Sequence, residues 1–152
     1  MTEIRFYHLV TKPLEQALPE ILEKVLERGQ RAIVKLPDEA AVKDLNAKLW
    51  TYKQQSFLPH GSKKDGNPEN QPIWLTEGDD NPNDASLLFL VSGAEAKPED
   101  ISSYDLCCEM FDGQNEQQLQ TARKHWTTYK EQKFDLAYWK QDGSGRWHKQ
   151  DI

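Results

Sequence analysis

Residues 4–36, IRFYHLVTKPLEQALPEILEKVLERGQRAIVKL, decide the fold class. Branched and aromatic residues dominate segments 4–10 and 31–36, which predicts two strands. Between them, from residue 14 to residue 26, apolar residues recur at steps of three and four, the period of an amphipathic helix. Pro19 lies inside this pattern and predicts either a kink or a later start of the helix. The order strand, helix, strand favours a right-handed crossover and parallel pairing.

The same alternation continues along the chain. Asp38 can cap a second helix that runs to about Trp50. Strands are expected at 72–76 and 106–111, and the uninterrupted apolar run at 86–92 is typical of a central strand covered on both faces. The polar stretches 62–71 and 77–84 are expected to be surface loops.

The C-terminal part of the chain predicts a long helix and a hairpin. The helix runs from about 115 to 133, and two apolar segments then flank the turn sequence Asp-Gly-Ser-Gly. We therefore predict one domain, residues 1–152, with a hairpin extension at about 134–152. Its class is a three-layer α/β sandwich, with a Rossmann-like, mostly parallel sheet and helices on both faces.

Composition limits the functions open to this chain. Its 19 basic and 25 acidic side chains give a formal charge of −6, which argues against non-specific binding to nucleic acid or to an anionic membrane. With no signal-peptide pattern and no membrane-length apolar run, we expect a cytoplasmic protein without membrane contact. Cys107 and Cys108 are neighbours, and we expect half-buried thiols; a strained vicinal disulfide is the alternative.

Motifs for catalysis or cofactor binding are missing from the sequence. The first strand is followed by Val-Thr-Lys-Pro and not by a glycine-rich phosphate loop, and no Gly-Lys-Ser/Thr motif occurs. The four histidines are scattered, and Ser92-Gly93 lacks the glycine that precedes a nucleophile elbow. We expect no catalytic residue, no cofactor and no metal. A nucleotide-dependent enzyme assembled from distant side chains is the alternative.

Two segments carry more aromatic and basic character than a core requires. In the first, Leu49-Trp50 is followed by residues 56–60, SFLPH. Trp50 and Phe57 either close the end of the helix or form an exposed patch that binds another protein.

In the second segment, Arg123, Thr127 and Lys130 share a helix face, with Trp126 beside them and Lys124 one step around. They form either a solvated charged face, with Trp126 in the core, or a pocket for an acidic peptide.

At these places the chain resembles the chi subunit of bacterial DNA polymerase III, part of the clamp-loader assembly. The resemblance covers nearly the whole chain and rests, in matching order and spacing, on Phe6-Tyr7, Leu49-Trp50, Ser56-Phe57-Leu58-Pro59-His60, Ala122-Arg123, Tyr129 and Phe134. It implies a Rossmann-like fold without a nucleotide site and without enzymatic activity.

The resemblance also implies partners. It places the psi subunit, and in some family members a repair helicase, at a surface formed by Trp50, Phe57, Leu58 and Pro59. It places the acidic C-terminal tail of single-stranded DNA-binding protein at Arg123, helped by Trp126. Such a protein links the clamp loader to coated DNA and contacts DNA only indirectly.

The chain departs from the family on the last helix. Trp126-Thr127 stands where the family can show Tyr-Lys, and a further family lysine falls near Leu119, so Lys124 and Lys130 are expected to supply that charge. Residues 141–152 have no counterpart. The alternative function is direct binding of single-stranded nucleic acid, which the net charge opposes; it would use basic side chains together with Trp126, Trp139 and Trp147.

Overall fold

The computed structural model describes residues 2–51, 60–63 and 65–151, without the side chain of Trp50. Its helices are α1 (Leu14–Glu27), α2 (Glu39–Trp50), α3 (Pro98–Ile101) and α4 (Glu116–Glu131), with a 3-10 turn at Pro68–Asn70. Its strands are β1 (Glu3–Leu9), β2 (Ala32–Lys35), β3 (Gly61–Ser62), β4 (Ile73–Thr76), β5 (Leu87–Val91), β6 (Leu106–Asp112), β7 (Asp135–Gln141) and β8 (Trp147–Lys149).

These strands form a single sheet in the order β3-β4-β2-β5-β6-β1-β7-β8. All neighbours pair in parallel except β7 and β8, which form an antiparallel hairpin at one edge. α1 and α2 pack on one face, and α3 and α4 pack on the other. The predicted three-layer α/β sandwich is confirmed.

β5 shows why the sheet needs two helical layers. All five of its residues are buried, with Phe89 in the core under α1 and α2 and Leu88 in the core under α4. Successive strand residues point to opposite faces, so a wholly apolar strand must be covered twice. The prediction of a central strand here is confirmed.

Two local expectations need correction. α1 begins at Leu14 and continues through Pro19, so the proline does not delay its start; burial of Leu18 and Leu22 against the sheet offsets the lost hydrogen bond. Cys107 and Cys108 are free and fully buried, not half-buried, because β6 sends them into opposite cores. Burial raises the pKa of the Cys108 thiol to about 12.

The stretch 77–84 is less superficial than its composition predicts. The side chain of Asn83 is only 1% exposed. It donates hydrogen bonds to the carbonyl oxygens of Gln71, at 2.9 Å, and Ala32, at 3.2 Å. One polar residue of this loop is therefore buried because it serves backbone carbonyls at the amino ends of β2 and β4.

The loop after β1 is filled from within the chain. Gln141, 3% exposed, accepts backbone N–H bonds through its Oε1 from Val10 at 2.9 Å, Thr11 at 3.1 Å and Lys12 at 3.2 Å. In dinucleotide-binding folds the corresponding loop holds phosphate. Among the described residues, no helix has the length and apolar character needed to cross a bilayer.

Candidate functional site

α4 carries the predicted cationic residues on a helix fixed at its start and along its inner face. The Asn115 side chain caps it by accepting a 3.0 Å hydrogen bond from the Gln118 N–H. Ala122 and Tyr129 are buried against the sheet. Arg123 follows Ala122 and is exposed, so its guanidinium stands at the margin of a rigid face.

Trp126 combines the two roles considered for it. Its side chain is partly buried, and its ring meets the buried Phe6 edge to face at 5.1 Å and Tyr138 at 5.8 Å between centroids. Such aromatic pairs add about 0.5–1.5 kcal/mol beyond area burial. Trp126 is thus anchored by the core and still reaches the surface beside Arg123.

His8 lies at the carboxyl end of β1, on the same sheet face as Phe6. Its Nδ1 is 2.7 Å from the Tyr138 hydroxyl, and its ring packs 4.9 Å from the Phe111 ring. Gly113 covers its other nitrogen so closely that a Cβ atom there would fall 1.9 Å from Nε2. The imidazole is therefore held from three sides.

The surface between α4 and β7 has local positive charge. Burial lowers the pKa of His8, and the charge of Lys140 lowers it further. Asp112 raises this pKa, and Arg123 lowers it by a smaller amount. Burial raises the pKa of Tyr138, whereas the charge of Arg123 opposes that rise. We call His8, Arg123, Trp126, Tyr138 and Lys140 together the α4–β7 surface.

The arginine and the lysines of α4 and β7 have no acidic partner among the described residues. Within residues 2–51, 60–63 and 65–151, no ion pair involves Arg123 or Lys140, nor Lys124 or Lys130. All four side chains are exposed. They are free to bind anionic groups of another molecule.

Helix geometry separates the predicted cations. Each residue advances about 100° around an α-helix, so Lys130 shares the flank of Arg123 and Trp126. Lys124 lies about 100° beyond Arg123, on the side away from Trp126. The structure brings Arg123, Trp126 and Lys130 together and places Lys124 on the outer flank.

A buried polar cluster lies under the other flank of α4. The Glu109 carboxylate is 2.7 Å from His125 Nδ1 and accepts a 3.3 Å hydrogen bond from the Tyr129 hydroxyl. Burial raises the pKa of Glu109, although its hydrogen bond to His125 opposes the rise. Burial disfavours the charged form of His125, but its hydrogen bonds to Glu109 and Glu95 outweigh that and raise its pKa. The cluster ties α4 to β6.

A family model described as DNA polymerase III chi subunit, HolC, matches residues 1–137. The chain belongs to this chi family. A relative, the probable DNA polymerase III subunit chi of Rickettsia prowazekii (strain Madrid E), is 35% identical over 92 residues, which are 60% of this chain and 56% of the relative. The chain therefore spans little more than half the length of that curated relative. The family resemblance seen in the sequence is confirmed, and Tyr138 and Lys140 lie beyond the family match.

The other surface that the chi family suggests falls largely outside the described residues. Trp50 is the last residue of α2, but its side chain is not described, and Phe57, Leu58 and Pro59 belong to the undescribed segment 52–59. Their role stays a prediction.

Sequence reasoning on this chi-family chain missed three members of the α4–β7 surface. His8 lies 130 or more positions before Tyr138 and Lys140 in the sequence, yet β1 and β7 pair so that His8 lies opposite Lys140. Every second residue of a strand points to the same face of the sheet, so residues 4, 6 and 8 share a face with their partners 136, 138 and 140. This pattern could have predicted the surface, but only if the two strands had been known to be neighbours. Among the described residues, no group of three or more His, Cys, Asp or Glu side chains is arranged to hold a metal ion.

Proposed function

We propose that this chain is a non-catalytic, cytoplasmic accessory subunit of the DNA polymerase III holoenzyme that works without a cofactor. It would link the clamp loader, through the psi subunit, to the acidic C-terminal tail of single-stranded DNA-binding protein. The observation that carries the proposal is the α4–β7 surface, where unpaired cations adjoin an anchored tryptophan in a chain of net charge −6.

The chemistry of this surface suits the end of an acidic peptide. The Arg123 guanidinium can pair in bidentate fashion with a terminal carboxylate, and Trp126 offers an apolar face to the last side chain. Lys124, Lys130 and Lys140 would attract the acidic body of the peptide. We expect binding of micromolar strength, about −8 kcal/mol.

The psi subunit would occupy a second surface. We assign it to Trp50, Phe57, Leu58 and Pro59, at and after the end of α2, with a repair helicase as a further candidate partner there. DNA would be reached only through the bound proteins. A pull-down compares the two surfaces: Phe57→Ala should lose psi and Arg123→Ala should lose the tail, and loss of the same partner by both would contradict the proposal.

Calorimetry with a synthetic peptide tests the tail site. The peptide has an acidic body and an apolar C-terminal residue, as the free acid or the amide. Arg123→Ala should weaken binding of the free acid by about 1.5–3 kcal/mol, the value of a charged hydrogen bond. Arg28→Ala, an exposed arginine at the end of α1, is the matched control. Equal binding of acid and amide together with a silent Arg123→Ala would overturn the site.

Direct binding of single-stranded nucleic acid is less well supported. Trp126 packs edge to face on Phe6, and Trp147 packs in the same way on Tyr7 at 4.9 Å, so both rings are already engaged. Base stacking needs an accessible ring face. Strong, steeply salt-dependent binding to an oligonucleotide, with no other protein present, would favour this alternative.

A further inference from the structure

We propose that the Arg123 site extends across the sheet to Tyr138 and His8. The Tyr138 hydroxyl donates a hydrogen bond to the carboxylate group held by Arg123, and His8 takes up a proton when that carboxylate binds. The inference rests on the proposed function, because it requires that Arg123 binds a carboxylate. It concerns a residue, Tyr138, outside the family match at 1–137.

Geometry makes the Tyr138 hydroxyl a fixed group. Its ring lies nearly parallel to that of Phe6, at 6.4 Å and 9°, and Trp126 meets it edge to face at 5.8 Å. The ring therefore cannot swing away without losing both contacts. The hydroxyl is held beside His8 and next to the helix that carries Arg123.

The protonation state of His8 decides whether the Tyr138 hydroxyl can donate its hydrogen bond to a ligand. When His8 Nδ1 carries no proton, it accepts the hydroxyl hydrogen of Tyr138 across the 2.7 Å contact. When His8 is protonated, Nδ1–H donates to the tyrosine oxygen, and the hydroxyl hydrogen is released to another acceptor. The second arrangement presents one more donor to a bound carboxylate.

Charges on every neighbouring element act on His8. Lys140 on β7 and Arg123 on α4 disfavour its protonation, Asp112 on β6 favours it, and Tyr138 shares its proton. The Glu109–His125 pair lies under the other flank of α4. With no ligand, burial and the two cations favour neutral imidazole. A bound carboxylate offsets the cations and favours the protonated ring.

Binding should therefore tighten as pH falls. A partner that stabilises protonated His8 takes up protons, and by linkage its affinity rises where more of that form exists. Peptide carboxylates have ordinary pKa values of about 4 and stay ionised above about pH 5.5, so they do not mask the effect. We expect about fivefold tighter binding near pH 5.5 than near pH 7.5.

Titration calorimetry with the free-acid peptide at these two pH values tests the extension. Tyr138→Phe keeps the ring and removes the hydroxyl, so it should weaken binding about threefold or more at the lower pH and abolish the pH dependence. Tyr7→Phe, on the same sheet but in the opposite core, is the matched control and should bind like the wild type. His125→Gln should retain the pH dependence. By NMR, the titration midpoint of His8 should rise when peptide is added.

The outcomes separate this inference from the proposed function. If Arg123→Ala weakens binding but Tyr138→Phe keeps both the affinity and the pH dependence of the wild type, only the extension is overturned. The same conclusion follows if peptide leaves the His8 midpoint unchanged, or if His125→Gln alone removes the pH dependence. If Arg123→Ala binds fully, or the wild type does not bind at any pH, the tail site itself is wrong and the extension falls with it.

Discussion

The cleft beside α1 and α2 and the α4–β7 surface differ in how their cations are paired. On the α1–α2 side, a cleft of about 400 Å³ lies over the carboxyl ends of the strands, and its two lysines are paired, Lys12 with Glu20 at 3.1 Å and Lys48 with Asp44 at 3.0 Å. On the α4 side, Arg123 and Lys140 have no acidic partner among the described residues. The two lysines of the cleft are neutralised within the chain, whereas Arg123 and Lys140 are not.

Stability does not explain this difference. Exposed ion pairs contribute a median of about 0–1 kcal/mol, so pairing Lys48 adds little to folding. The larger effect is on the surface potential, because pairing cancels a charge that would otherwise attract anions. The comparison is therefore consistent with the proposed binding of an anionic partner at the α4–β7 surface.

The largest expected effect tests whether the α4–β7 surface depends on the aromatic core that lies beneath it. Phe6 is fully buried and contacts Trp126, Tyr129 and Tyr138. Phe6→Ala should lower the free energy of unfolding by about 3–5 kcal/mol, measured by urea denaturation.

Leu18→Ala, equally buried but under α1, is the matched variant and should cost about 2–5 kcal/mol. Among folded molecules, only Phe6→Ala should also weaken binding of the acidic peptide. Equal peptide binding by the two variants would show that the packing around Phe6 does not affect binding at the α4–β7 surface.

The next effect sharpens the role of close packing at His8. In Gly113→Ala the new Cβ would collide with the imidazole, so the variant should lose about 1–3 kcal/mol of stability. Gly143→Ala is the control, since nothing lies within 4 Å of a Cβ there. A double variant with His8→Ala should recover part of the loss, and the absence of coupling in that cycle would contradict a direct clash.

A smaller effect distinguishes the two histidines by the sign of their pH dependence. The raised pKa of His125 means that its stabilisation is complete below about pH 6.5 and is lost as pH rises through the folded-state pKa. The lowered pKa of His8 means that the folded state loses stability as pH falls below about 6.5.

Unfolding measured from about pH 5.5 to 8 should therefore respond in opposite directions to two substitutions. His125→Gln should flatten the loss at the alkaline end, and His8→Gln should flatten the loss at the acidic end. The same change of slope in both variants would show that the two sites are not electrostatically distinct.

The smallest effect concerns single exposed charges. Lys140→Ala should weaken binding of the acidic peptide about twofold at low salt, an effect that screening removes at high salt. Lys48→Ala, in the cleft where the lysine is already paired with Asp44, should change binding less. If the two variants are indistinguishable at low salt, the contrast between the cleft and the α4–β7 surface has no consequence for binding.

Local patterns and the family resemblance made much of this structure predictable. The period of three to four residues marked α1, and the wholly apolar run of β5 marked the centre of the sheet. Arg123 was predicted as a site residue because it follows Ala122 in a motif that matches the family, and that prediction still awaits its test. α3 has four residues and β3 has two, too few to show any period.

The rest of the α4–β7 surface depends on which strands become neighbours. His8 and Tyr138 meet because β1 pairs with β7, and pairing between distant segments is not written in either segment alone. The same holds for Glu109. A carboxylate within an apolar strand is unusual in the sequence, but the sequence does not show that His125 becomes its partner when α4 packs on β6. Long-range register is the information that local patterns lack.

Gln141 occupies, with its own side chain, the loop position where dinucleotide-binding folds hold phosphate. Its carboxamide acts as a permanent internal ligand for the three amides after β1, delivered from the far end of the chain. A phosphate seeking those amides would compete with a group tethered beside them, whose effective concentration is very high. The same hydrogen bonds fasten the end of β7 to the loop after β1, so the strand that fills this loop is also the strand that carries Tyr138.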